Sequence, residues 1–358
     1  MRKIVRAGAV RVPDLLRLAH SARIPPPGEL SRGTRPLHPT TQTPPAKAAE
    51  AARPIANLRG HSAAITALAF TADRCLLASA DREGPARIWN VASSKPGERA
   101  AIRTPGERFQ SLAFSPNSRT LALGSGSEGG MVWLFDVSEK TPKEVVPLRG
   151  PKGAVNALAF SPDGKTVAGG GEDQTVRLWE PAPGSRGEPR TLLLGHSRPV
   201  QALAFSHDGR GLASAAQDAT VRVWSVSRIR SYERACVPHP ADVTSLLFVP
   251  DGNTLATACR DGVIRLWDLM SIKPRVRAEL KGHAGAKLLL LATDGTTLVS
   301  AGGGPRVVNW DVRTGNQLRE WELPAVPPVA ALTVDGRYLA RGDDRGDVEL
   351  FRVAEKRA

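Results

Sequence analysis

Cysteine, methionine and tyrosine are scarce in this chain. Three cysteines (Cys75, Cys236 and Cys259) in 358 residues are too few and too scattered for a disulfide framework or a zinc site. They read as inert strand residues, with Cys236 the more exposed, and a reducing, cytoplasmic setting is expected. No apolar run reaches the roughly 18 residues that a membrane-spanning helix requires, so no membrane is expected as a partner. Arg2, Lys3, Arg6 and Arg11 break up every early hydrophobic stretch, so no secretory leader is expected either. Turn formers, by contrast, are plentiful: 34 Gly and 29 Pro argue against long helices.

The formal net charge of +14 is unevenly spread. Residues 1–57 hold ten Lys and Arg against three Asp and Glu, giving +7, and the other 301 residues also carry +7. Arg outnumbers Lys by 38 to 11 and Ala, Gly and Pro are abundant, the signature of a GC-rich genome and a source of basicity unrelated to any partner. Residues 1–52 are Pro-rich, basic and nearly free of aromatic side chains. They read as a disordered arm that associates with nucleic acid weakly and non-specifically, if at all.

Beyond the arm the chain repeats itself. Segments starting at Leu58, Leu148, Leu193, Val237 and Leu280 are alike, a sixth starts at Phe109, and a weaker seventh starts near Leu323. The apolar residue closing a first strand recurs at Phe70, Phe114, Phe160, Phe205, Phe248, Leu291 and Val334, at spacings of 43 to 46 residues. A third-strand aromatic keeps the same register at Trp89, Phe135, Trp179, Trp224, Trp267, Trp310 and Phe351. Within one unit, 155–160 is a β-rich run and 161–164 (Ser-Pro-Asp-Gly) is turn chemistry. A second strand is predicted at 166–170 and a third at 176–179. These strands are apolar on both faces, which suits sheets covered on both sides, so the units must stack around an axis.

The Gly-His pair, the F-S-P-D-G turn, an Asp six residues before Trp and the Trp-Asp ending resemble WD40 repeats. With the GC-rich composition, the resemblance suggests a bacterial-type member. It implies an all-β, seven-bladed propeller over 53–358 in which each repeat gives the outer strand of one blade and the three inner strands of the next. Residues 54–58 would then close the ring against 347–353, covering an otherwise open edge.

The resemblance also implies roles for residues. A loop His, a second-strand hydroxyl, a turn Asp and a third-strand Trp would form a hydrogen-bonded set within a blade. The full set reads as His196, Ser214, Asp218 and Trp224, and again as His239, Thr257, Asp261 and Trp267. The first copy has His61, Ser79 and Trp89, with Glu83 at the Asp position. The third has Asp173 and Trp179 but Pro151 and Gly169, and the sixth has His283, Ser300 and Trp310 but Gly304. One His per blade cannot converge on one metal ion, so no metal or other cofactor is expected. With no G-x-S-x-G elbow and no phosphate loop, no catalytic site is expected. Arg87, Arg177, Arg222 and Arg265, each two residues before the Trp, read as packing and salt-bridge positions.

The expected function is a non-catalytic scaffold or adaptor that binds a protein or peptide on one propeller face. Alternatives are nucleic-acid association through the Arg-rich arm and a sensor module related to those of larger proteins. Positions carried from the family's binding face are Thr66 and Arg82; Arg108, Gln110 and Glu128; Asn156 and Glu172; Gln201 and Gln217; Asp242, Thr244 and Arg260; Lys287; and Asp344. Their neighbours Ala64, Ala154, Pro199, Gly303, Pro328 and Ala330 complete that face.

Overall fold

The computed structural model describes residues 53–352, apart from 182–185, 272, 282–287, 292–294, 303, 326, 328 and 334. The arm 1–52, Lys287, His283, Gly303, Pro328 and Val334 lie outside the described residues. Among those described, every regular element is a strand, and 28 strands form seven four-stranded antiparallel sheets. Six blades take four consecutive strands each, for example Val200–Phe205, Gly211–Ala216, Thr220–Ser225 and Tyr232–Pro238 in blade 4. Blade 7 is Val329–Leu332, Tyr338–Gly342 and Val348–Arg352, with Pro54–Leu58 as its outer strand. The inner strand of each blade adjoins that of the next, and blade 7 adjoins blade 1, so the sheets form a closed ring.

Burial explains the strand composition. The second strand Leu76–Asp81 is buried at every position, and small residues such as Ala78, Ala80, Ala213, Ala215, Ala256 and Ala258 are fully covered. A strand covered on both faces has no polar side to show, and alanine lets adjoining sheets approach. The core lies in the wedges between blades, where Ala168, Leu178 and Leu193 of blade 3 pack against Leu212 and Trp224 of blade 4.

The first turns of blades 1 to 4 and 7 repeat one design. In blade 3 the Ser161 amide donates to Thr166 O (2.8 Å), the Ser161 hydroxyl donates to Asp163 (2.6 Å), and Gly164 adopts φ +70. Arg74 (φ 64) and Ser118 (φ 60) hold the same left-handed position in blades 1 and 2 without glycine, a small local cost. In blade 7 this turn corrects the sequence register. Thr333 N donates to Tyr338 O (2.9 Å) just as Thr71 N donates to Leu76 O (2.9 Å), so the inner strand ends at Leu332, two residues before Val334. The second strand of blade 3 is likewise Val167–Gly171, one residue later than the sequence suggests.

Pro54–Leu58 joins Val348–Arg352 through Leu58↔Val348, Asn57↔Glu349 and Ala56↔Leu350, with Pro54↔Phe351 reached across a bulge. Leu58 is buried with Trp89, Leu77 and Leu350.

The outer strands contribute a second tie between blades. In blades 1, 4 and 5 a bulge opposite the third-strand Trp sets one outer-strand residue out of register, and that residue is Arg99, Arg234 or Arg277. Each guanidinium reaches a backbone carbonyl of the following blade: Arg99 to Ser138 O (3.1 Å), Arg234 to Leu269 O (2.7 Å) and Arg277 to Arg313 O (3.2 Å). Arg190 of blade 3 does the same to Ser227 O (3.1 Å). In blades 2, 6 and 7 the out-of-register residues are Val145, Leu318 and Ile55, each about half exposed.

Candidate functional site

The inner strands of blades 1 to 5 begin with a second type of bulge, and it organises the candidate face. The register of blades 1 to 5 skips one residue near the start of the inner strand, and the skipped residues are Thr66, Gln110, Asn156, Gln201 and Thr244. A bulged residue is freed from the ladder and re-aimed. Here several reach the neighbouring blade. Thr66 Oγ1 donates to Phe109 O (2.9 Å), Gln110 Nε2 donates to Asn156 Oδ1 (3.1 Å), and Asn156 Nδ2 donates to Val200 O (3.2 Å). Thr244 Oγ1 bonds Ala258 O of its own blade (3.3 Å). These residues therefore form part of a polar belt joining blades.

The turns between second and third strands rise beside that belt. Arg82 N donates to Ala64 O, Glu172 N to Ala154 O, Gln217 N to Pro199 O and Arg260 N to Asp242 O, all at 2.9–3.0 Å. The structure thus gathers the sequence-derived positions of each of these blades at one end. Blade 2 differs because its turn is longer. Gly126, not Glu128, makes the bond to Arg108 O (2.7 Å), while Glu128 sits further out and its carbonyl accepts from Gly153 of blade 3 (3.0 Å). Arg82, Arg108, Gln110, Glu128, Glu172, Gln217, Arg260 and Asp344 are exposed. Arg260 lies 3.7 Å from Asp242, so two members of the set neutralise each other.

Beneath this face lie the buried polar sets. In blade 4, His196 Nε2 lies 2.7 Å from Ser214 Oγ and Nδ1 lies 3.0 Å from Asp218, while Trp224 Nε1 donates to Ser214 (2.8 Å). Blade 5 departs from expectation. His239 reaches Thr257 (3.0 Å) and Trp267 donates to Thr257 (3.1 Å), but Asp261 does not bond the His. Its carboxylate is taken by Arg265 (2.7 Å), and His239 Nδ1 turns to Val237 O (3.2 Å). A nearby guanidinium is a stronger partner for a carboxylate than a neutral imidazole.

Blade 1 holds a residue that sequence reasoning missed. His61 meets Ser79 (2.6 Å) and Trp89 donates to Ser79 (2.7 Å), and the carboxylate is supplied by Asp81 rather than Glu83. Asp81 is fully buried and lies 3.0 Å from His61 Nδ1, in contact but without hydrogen-bond alignment. It accepts from the amides of Ser62 (3.2 Å), Glu83 (3.3 Å) and Gly84. Glu83 is exposed. The remaining blades follow the fate of one hydroxyl. Ser300 receives Trp310 (2.8 Å) in blade 6. Blade 3 has Gly169 there, and Trp179 donates to Arg149 O instead (3.2 Å). Blade 7 has Arg341, held by Glu349 (2.9 Å), and its aromatic is Phe351, which has no donor to satisfy.

The arginines two residues before the Trp do form ion pairs: Arg87 with Glu98, Arg222 with Glu233, Arg177 with Asp173 (2.7 Å), and Arg265 with Asp261 and Glu279. The outer-strand arginines Arg99, Arg190, Arg234 and Arg277 lie past the third-strand Trp, where the repeat's shared motifs end. Their signal is an Arg ten or eleven residues after the Trp.

Burial, only partly offset by nearby carboxylates or carbonyls, pushes His61, His196 and His239 below the ordinary 6.5. Burial would raise Asp218, but bonds from the Ser197 amide, Thr220 and His196 hold it below 3.8. The sign for stability follows from linkage. A His depressed in the folded state stays neutral there while the unfolded chain protonates, so unfolding takes up protons below about pH 6.5. Stability is expected to be level at higher pH and to fall as the pH drops below about 6.5, with uptake of up to three protons by these groups. Urea midpoints measured across that range test this; a flat profile would contradict the buried, neutral imidazoles.

Four stretches of the chain, 52–90, 142–180, 187–225 and 231–268, match the WD40 family (WD domain, G-beta repeat). The chain is a WD40-repeat propeller. Each WD40 match runs from the outer strand of one blade through the three inner strands of the next, so the four matches end just past the third-strand Trp of blades 1, 3, 4 and 5. The chain is also similar to apoptotic protease-activating factor 1 of Homo sapiens, at 34% identity over 79 residues. That match covers 20% of this chain and 6% of the human protein.

Proposed function

We propose that this WD40 propeller is a non-catalytic scaffold that binds a protein or peptide on the face formed by its inner-strand bulges and second-to-third strand turns. Propellers of this repeat type are typically interaction scaffolds and typically non-catalytic. The observation that carries the reading is the convergence, at one end of each of blades 1 to 5, of bulge residue, preceding loop and turn, tied by backbone bonds. A rigid ring of exposed side chains differing from blade to blade is suited to reading a polypeptide. The short match to a region of a larger apoptotic protein supports a regulatory or sensing use of the same scaffold.

The exposed residues are polar and of mixed sign: Arg82, Arg108 and Arg260 against Glu128, Glu172 and Asp344. Trp and Tyr, the usual anchors of tight interfaces, are absent from the set, so a contact of moderate affinity is expected. The double reversal Arg108→Glu with Arg260→Glu is expected to weaken capture of co-purifying partners about tenfold or more while leaving the melting curve in place. Retention of every partner at unchanged affinity would show that this face is not the site. The expected weak nucleic-acid contact is separable, because it would fade steeply with salt.

A further inference from the structure

On the opposite end of the ring, the turns that join third and outer strands in blades 4 and 5 carry an unusual surface. Ile229 is 99% exposed between Arg228 and Arg230, and Met270 is 71% exposed at the tip of the neighbouring turn. The strands leaving these turns add Tyr232 (53%) and Val276 (43%), with Arg234, Lys273, Arg275 and Arg277 exposed among them. Six cations thus stand among four nearby carboxylates: Glu233 is paired with Arg222, Glu180 is shared by Arg190 and Arg228, Asp251 lies 4.0 Å from Arg277, and Asp268 accepts the Met270 amide.

The two turns are held next to each other. Arg190 fixes the first from blade 3 by its bond to Ser227 O, and Ser227 Oγ receives the Arg230 amide (3.0 Å). Arg234 fixes the second by its bond to Leu269 O. The apolar tips are therefore presented by an anchored scaffold. Arg228 shares Glu180 (3.4 Å), and Arg277 is taken up by Thr254 and Arg313 O. Arg230, Lys273 and Arg275 make no ion pair among the described residues.

We propose that this end of blades 4 and 5 is a peripheral docking surface for an anionic lipid bilayer. Aliphatic side chains at convex tips, ringed by cations, match the two layers of such a membrane: the tips enter the acyl boundary while guanidinium and ammonium groups meet the headgroup phosphates and carboxylates. A single-stranded nucleic acid would supply the anions, but it is read by stacking successive bases on aromatic side chains. The tips here are the aliphatic Ile229 and Met270, with Tyr232 the one exposed aromatic beside them among the described residues. Contact here means lying on the bilayer. No helix among the described residues is long and apolar enough to cross it.

The test is co-sedimentation of the full chain with phosphatidylcholine vesicles with and without phosphatidylserine. Binding is expected only with phosphatidylserine and is expected to fall as salt rises. Ile229→Asp with Met270→Asp should weaken it about tenfold or more, and Arg230→Glu with Arg275→Glu should do likewise, each at an unchanged melting temperature. Arg82→Glu with Arg108→Glu, on the other end of the ring, should leave it unchanged. Absence of binding at low salt would overturn the proposal. So would binding that survives both paired variants, since the contact would then lie elsewhere on the chain. Loss of binding in the charge variant alone, together with equal affinity for single-stranded RNA, would overturn it in favour of a nucleic-acid surface.

Discussion

Removing residues 1–60 is expected to destabilise the propeller severely and to cause self-association, whereas removing 1–45 keeps the closing strand and its bonds intact. The longer truncation deletes Pro54–Leu58 and with it the ladder to Val348–Arg352. Leu58, almost wholly buried against Trp89, Leu77 and Leu350, contributes about 2–3 kcal/mol by apolar burial alone. The lost ladder bonds add about 1 kcal/mol each. A total of roughly 4–6 kcal/mol is a large part of the stability of any domain. The second consequence is geometric. Val348–Arg352 would become an exposed edge whose core-facing Val348, Leu350 and Phe351 are all buried in the intact ring, and such an edge pairs with other chains. Thermal melts and light scattering of the two truncations are the measurement. Coincident melts would show that the strand adds nothing to closure.

The architecture was legible because two markers, the strand-ending Phe or Leu and the third-strand Trp or Phe, keep one register around the ring. Where a marker has several apolar neighbours the reading slipped. At 331–334 (Ala-Leu-Thr-Val) both Leu332 and Val334 suit a strand end, and only the turn bond from Thr333 to Tyr338 decides for Leu332. The candidate face was legible in outline for the same reason. What sequence could not show is that Thr66, Gln110 and Asn156 are skipped by the ladder and spend their polar groups on the next blade. The outer-strand arginines lie past the Trp that ends the recognisable motif, so the repeat's markers do not point to them. The polar sets were misread wherever a carboxylate reached its target from a different position, because a spacing rule fixes the residue and not the direction of its side chain. Asp81 ends a strand two residues before the position that Asp218 holds, yet both meet the loop His.

That difference sets a ranking of four substitutions to alanine. Asp81→Ala removes the acceptor for three amides and the partner of His61 at a site with no solvent access. Stranding several buried donors is expected to cost about 3–5 kcal/mol. Asp218→Ala strands the Ser197 and Thr220 amides, the Thr220 hydroxyl and His196 Nδ1, but this carboxylate is less deeply covered. About 2–3 kcal/mol is expected there. Asp261→Ala frees the Val263 amide, Arg265 and the Cys259 thiol, but Arg265 keeps Glu279 at 3.4 Å and the thiol keeps Ala241 O, so about 1–2 kcal/mol is expected. Glu83→Ala changes an exposed side chain and should stay within about 0.5 kcal/mol of the parent. Urea unfolding of the four variants at about pH 7.5, above the titration of the buried histidines, gives the order directly. A Glu83 variant as damaging as Asp81→Ala would return the carboxylate of blade 1 to the position that sequence spacing assigned. An Asp261 variant as damaging as Asp218→Ala would mean that Asp261 supports His239 after all. The order Asp81, Asp218, Asp261, Glu83 follows only if burial and the number of donors served, rather than place in the repeat, decide what each carboxylate contributes.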